Sequence, residues 1–112
     1  MDDSIKKYLQ DICIAIDEID SFFAGRSRRF DEFCSDLLLR RGIERDIEVI
    51  GEAVNRILKS DDQVKITNAR KIVDARNYIS HGYDSLSEDI LWSIVINHIP
   101  VLRKEVSDLL AS

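Results

Sequence analysis

Apolar residues recur along this chain every three or four positions, in four long runs separated by short polar or glycine-containing breaks. That spacing is the period of an amphipathic α-helix, about 100° per residue, and differs from the alternation of a strand. The first run predicts a helix from about Asp3 to Ala24, with Ile5, Tyr8, Leu9, Ile12, Ile16, Ile19 and Phe23 on one arc and Gly25 as its stop. Ser27 to Cys34 reads as a short helical turn carrying Phe30 and Phe33. A second long helix runs from about Asp36 to Lys59 on a stripe of Ile43, Ile47, Ile50, Val54, Ile57 and Leu58. Gly42 is a loosening point within it. After the polar turn Ser60-Asp61-Asp62, a third helix spans roughly Thr67 to Ser80, with Thr67 or Asn68 as N-cap and Gly82 in the left-handed position beyond its last turn. A fourth begins near Ser85 or Ser87. Ser85 followed by Glu88 matches a capping box, and the helix continues to about Leu110 with a kink expected at Pro100. Short connections between such helices predict antiparallel neighbours, hence an all-α, antiparallel up-and-down four-helix bundle with a short extra helix. No repeat or linker interrupts the pattern, so residues 1–112 read as one domain.

Composition narrows the function classes. The chain is 45% hydrophobic and 33% charged, and no apolar run approaches the roughly 20 residues that span a bilayer. Its start, Met1-Asp2-Asp3-Ser4, lacks the basic and apolar regions of a signal peptide. Cys13 and Cys34 form no CxxC or Cys/His cluster, so a reduced cytoplasmic protein without structural zinc is expected. A net charge of −5 argues against a general nucleic-acid coat. The charge is uneven, however. Between Val64 and Tyr83, Lys65, Arg70, Lys71 and Arg76 face the single acid Asp74. Six arginines lie against four acids between Gly25 and Arg45. Such local positive surface fits a confined polyanion site, with Arg70 and Lys71 as candidate RNA contacts. Ordinary surface ion pairs are the alternative.

The segment Arg76-Asn77-Tyr78-Ile79-Ser80-His81-Gly82-Tyr83 concentrates the chemistry. A guanidinium can hold a phosphate, and an imidazole can move a proton near neutral pH. On a helical wheel Arg70, Asp74, Asn77 and His81 form one polar stripe, whereas Arg76 falls among Ala69, Ile72, Val73, Ala75 and Ile79. A cation there must reach an anion, a second subunit or a ligand. A structural ion pair with Glu48 or Glu52 is the competing reading. Residues five apart differ by about 140° around a helix, so Arg76 and His81 share one ligand only through distortion, extension or an enclosing groove. His98 is expected in the core of the last helix, and Trp92, Phe22 and Phe23 in the core or an interface. Ile14 and Ile96 lie off the main stripes, which points to a partner, such as a second copy. No phosphate-binding glycine loop, HExxH or Ser/His/Asp set occurs, and the basic segments lack the interleaved aromatics of a stacking platform.

Arg, four residues, His, one residue, Tyr is a pattern that resembles the HEPN superfamily, in its HepT-like toxin branch. Here it is Arg76, His81 and Tyr83. Ile50-Gly51-Glu52-Ala53 is similar to that family's segment on the preceding long helix, and Asp89 to Val95, with Pro100 beyond, is similar to its following helix. The similarity covers roughly Phe30 to Leu102. Asp74 and the pair Asn68-Ala69 depart from the common residues there. The resemblance implies a homodimeric helical bundle whose two motifs face each other across a cleft. It implies a metal-independent endoribonuclease without cofactor, with Arg76 and His81 catalytic and Asn77 in support. It also implies a nucleotidyltransferase antitoxin that transfers AMP to Tyr83. Two other readings compete: a non-catalytic nucleotide- or partner-binding subunit of a nucleotidyltransferase complex, and a plain helical dimerisation domain.

Overall fold

The structure, a computed structural model, describes residues 1–81 and 87–112. Its helices are α1 (Asp3–Phe22), α2 (Phe30–Ser35), α3 (Leu37–Ser60), α4 (Ala69–Ser80), α5 (Glu88–Ser93) and α6 (Ile99–Ala111), with one π-helical turn, Ile94–His98, joining the last two. No strand occurs among the described residues. The expected bundle is all-helical, as its periodicity demands. Gly82, expected as a left-handed stop, and Tyr83 and Ser85 lie outside the described residues.

Local chemistry accounts for most helix ends. Asp2 Oδ1 accepts the Ser4 N–H at 2.7 Å and starts α1. α1 ends at Phe22, two residues before the expected Ala24, because Phe23 and Ala24 close tighter turns onto Asp20 and Ser21 before Gly25 takes φ 77°. Asp36 Oδ1 caps α3 through the Leu39 N–H at 3.0 Å. The start of α5 corrects the expected Ser85 capping box: Ser87 is the N-cap, and its Oγ accepts the Ile90 N–H. Asn68 does hold the N-cap position of α4, but in the left-handed conformation (φ 60°) and with no side-chain cap bond. The first turn is tied instead to α6, where the Glu105 carboxylate accepts the Thr67 N–H at 3.0 Å and the Thr67 hydroxyl at 2.7 Å. Pro100 lacks an N–H and its ring crowds the carbonyl four residues back. The chain answers with the π turn, in which the Ile99 N–H reaches the Ile94 carbonyl.

α3 is the central helix, packed on α1 along one side and on α4 along another, with α6 against α1. The predicted stripes meet there: Leu9, Ile12, Ile16, Ile43, Ile47, Ile50, Ile57, Ile72, Leu91 and Leu102 are fully buried. Burying side chains of this size is worth about 1.5–3 kcal/mol each, which outweighs single propensity defects. Gly42 is such a defect, yet α3 runs through it unbroken. A Cβ there would lie 3.0 Å from the Phe22 ring, so the glycine seats that ring rather than loosening the helix. Trp92 joins Phe23, Phe30 and Phe33 in an aromatic cluster, 4.9 Å between the Trp92 and Phe33 centroids. No helix of the described residues is long and apolar enough to cross a membrane.

Candidate active site

α4 carries the motif and is held close to α3 at Gly51. A Cβ on Gly51 would overlap Cβ of Arg76, stand 2.9 Å from its Cγ and 3.1 Å from the Ile72 carbonyl oxygen. The absent side chain is what lets the stem of Arg76 lie on α3. That resolves the anomaly of a cation on the apolar arc: the stem packs and the guanidinium emerges beyond it. Its side chain keeps 28% exposure.

Among the described residues the guanidinium has two hydrogen-bond partners. Nη1 donates to Asn77 Oδ1 at 2.7 Å, and Nη2 donates to Glu52 Oε2. The ion pair considered from sequence therefore exists, with Glu52 and not with Glu48, whose carboxylate accepts the Ser80 hydroxyl at 3.0 Å. Glu52 is shared, since Arg56 Nε donates to its other oxygen at 2.6 Å. The Arg56 hydrogen bond, then the Arg76 and Arg56 charges, hold the Glu52 carboxyl below its ordinary pKa.

Arg76 and Ser80 open onto a groove of about 460 Å³ between α1, α3 and α4, whose wall also includes Tyr8, Arg45, Glu48, Glu52 and Arg56. Sequence reasoning passed over Tyr8, Arg45 and Arg56. Arg56 stands four residues from Glu52, which is the available signal, but nothing in the order of residues places the α1 tyrosine beside it. The aromatic missing from the basic segments is supplied by another helix.

The other predicted residues lie elsewhere. His81 ends α4, exposed, its N–H bonded to the Asn77 carbonyl at 3.1 Å, and it is not among the described residues lining the Arg76 groove. Asn77 touches Arg76 directly. Arg70 is spread on the surface, 3.6 Å from Asp74. Lys71 faces a second, largely apolar groove of about 480 Å³ with Tyr78, Ile90, Ile94 and His98. His98 is thus half-buried at a groove wall rather than a core residue. Burial, and then the Lys71 charge, push its pKa down. The arginines between Gly25 and Arg45 are largely spent on ion pairs: Arg26 with Asp36, Arg28 with Asp20, Arg29 with Asp31, Arg40 with Glu88 and Arg41 with Glu44. Ile14 and Ile96 are exposed, as their off-stripe positions predict.

Comparison with known proteins agrees with this architecture. Residues 12–109 match the family model described as ribonuclease HepT-like. "Putative RNase MJ1380" of Methanocaldococcus jannaschii is 30% identical over 91% of this chain and 93% of its own length. "Probable ribonuclease HepT" of Thermococcus cleftensis is 31% identical over 89% of this chain and 90% of its own. No solved structure matches. The family match spans α3 and α4, which carry Glu52, Arg56 and Arg76, and the chain belongs to the HepT-like ribonuclease family.

Proposed function

We propose that this protein is a metal-independent endoribonuclease whose catalytic groups are Arg76 and His81, with Asn77 orienting the arginine. The observation that carries the reading is the setting of Arg76: a cation seated on Gly51, fixed by Asn77 and Glu52, at the wall of an open groove. Family membership supplies the substrate class. In the reaction the ribose 2′-oxygen attacks the adjacent phosphorus while the bond to the 5′-oxygen breaks, leaving a cyclic phosphate and a free 5′-hydroxyl. One imidazole takes the 2′-hydroxyl proton and another returns a proton to the leaving oxygen. The guanidinium meets the charge that grows on the phosphoryl oxygens. One chain has His81 outside the Arg76 groove, so two copies related by a two-fold axis are needed to bring two imidazoles to one phosphate.

The chain acts as the toxin of a toxin–antitoxin pair. Its partner is a minimal nucleotidyltransferase that transfers AMP from ATP to the Tyr83 hydroxyl with release of pyrophosphate. The added phosphate stands two residues from His81 and competes for the arginines that hold RNA. Incubation with such a partner and ATP should add one AMP to the wild type and none to Tyr83→Phe.

The purified protein should cut single-stranded RNA in EDTA. Arg76→Ala and His81→Ala should each lower the rate by about 100-fold or more, the scale of acid–base and electrostatic contributions. Arg76→Ala should cost under about 1 kcal/mol of stability, because the pair is partly exposed and Glu52 keeps Arg56. Cleavage that survives both substitutions removes the assignment, and a loss of several kcal/mol at Arg76 returns it to a structural ion pair.

A further inference from the structure

The groove at Arg76 continues in both directions along α1 and α3. Tyr8, Glu52 and Arg56 belong to its wall and also to an adjoining hollow of about 250 Å³ with Asn55 and Lys59. The opposite way, Asp11 and Arg45 lead into another hollow of about 250 Å³ with Glu18 and Asp46. One trough therefore passes Arg76, and its ends differ in charge. At the first end Arg56 and Lys59 face Glu52, while at the second Asp11, itself paired with Lys7 at 2.6 Å, and Glu18 face Arg45 beside the buried Asp46. A polyanion crossing at Arg76 is drawn toward the first end in preference to the second.

The first end also has the right parts. Tyr8 is half-buried where the main groove and the basic hollow meet, so an aromatic ring lies beside the cations. Arg56 is 58% exposed, spends its Nε on Glu52 and also hydrogen-bonds the Tyr8 side chain. A guanidinium has five N–H donors, so the rest can reach a phosphate. An aromatic ring beside cations is the composition that takes single-stranded nucleic acid, base on ring and phosphate on cation. We propose that Tyr8, Asn55, Arg56 and Lys59 form a subsite for the nucleotide adjoining the phosphate cut at Arg76, with the base at Tyr8 and its phosphate at Arg56 and Lys59. This subsite rests on the reading of the Arg76 groove as the cleavage site. It sets the path of the RNA: the strand leaves Arg76 toward the C-terminal end of α3.

Binding is measured by fluorescence anisotropy with a single-stranded RNA oligonucleotide made uncleavable by 2′-O-methylation, and cleavage with the unmodified strand. Arg56→Ala should raise Kd about fivefold or more and flatten the dependence of log Kd on log salt by roughly one. Arg56→Glu should raise Kd further. Tyr8→Leu should raise Kd about 5- to 100-fold, the scale of one lost stack. KM for cleavage should follow Kd, with kcat within about twofold, which a merely structural role would not produce. Arg29→Ala, on the exposed surface and paired with Asp31, should change neither. Thermal melts confirm folding, and exposed Arg56 carries the test alone if Tyr8→Leu does not fold. If Arg76→Ala abolishes cleavage while Arg56→Glu binds within twofold of wild type, the subsite is overturned and the catalytic assignment stands. If Arg76→Ala leaves cleavage intact, the cleavage-site reading fails and takes this path with it.

Discussion

Gly51 is where core packing and the candidate chemistry occupy the same space. Alanine is the better helix former by about 1 kcal/mol, so Gly51→Ala would stabilise a free helix. Here the new methyl overlaps the Arg76 stem and presses on the Ile72 carbonyl, a backbone atom that cannot rotate away. Overpacking of this kind typically costs 1–3 kcal/mol, so the steric term wins. Gly51→Ala should lower Tm by several degrees and cleavage by about tenfold or more, since α4 must lift off α3. A raised Tm with unchanged activity would show that the helices do not touch so closely.

Asp46 is a second residue with a measurable signature. It is 4% exposed, and its Oδ2 has no hydrogen-bond partner. Burial first, and then the hydrogen bond and charge of Glu18, push its carboxyl up to about 7, against the pull of Arg45. A raised folded pKa means that the native state holds the proton more tightly than the unfolded chain. Its stabilising contribution is full below the unfolded value near 4 and is lost as pH rises to about 7. Asp46→Asn keeps the shape and a donor toward Glu18 but cannot ionise. The variant should gain about 1–2 kcal/mol over wild type at pH 8 and much less at pH 4, read from urea melts at both. Equal differences at the two pH values would mean that Asp46 ionises as freely in the folded chain as in the unfolded one.

At the scale of elements, periodicity shows which face of each helix is buried, because burial of an Ile or Leu stripe outweighs local detail. It does not show what closes each end. Ser85 and Ser87 are both good caps by residue type, and only the register of Leu91 on the core places Ser87 at the start of α5. Pro100 announces a disturbance, but its form, a π turn, depends on keeping Ile94, Val95, Ile99 and Leu102 all inward. Of the site, the motif and one of two candidate acids for Arg76 are legible. The Tyr8–Arg56–Arg76 neighbourhood joins three helices and has no sequence signal. The start of α4 shows the same dependence, since a carboxylate 38 residues away holds Thr67. Glu105→Ala should therefore destabilise the protein by roughly 0.5–1.5 kcal/mol. Hydrogen exchange should rise in the first turn of α4 more than elsewhere. A uniform rise would mean that Glu105 acts through α6 alone.

The whole molecule raises the question of how one phosphate can meet both Arg76 and His81. They leave α4 in different directions, one half-buried in the trough and one exposed at the helix end. Bending a single α4 to join them would break the tight contact at Gly51. The two-fold pairing proposed above would bring Arg76 of one copy toward His81 of the other at no such cost. Two consequences are measurable. Light scattering should give a mass twice the 12.9 kDa chain. Wild type unfolded and refolded with an equal amount of inactive His81→Ala protein should lose more cleavage than dilution alone accounts for. Random pairing makes about half of the dimers mixed, and each mixed dimer lacks one of the two imidazoles that the proposed cleft needs. Cleavage should then fall to about a quarter of that of the same amount of pure wild type, because an acid–base term of 100-fold or so is lost in every dimer but the quarter that is wild type in both copies. Native mass spectrometry that shows mixed dimers while cleavage stays at about half would mean that each copy works alone and refute a shared cleft.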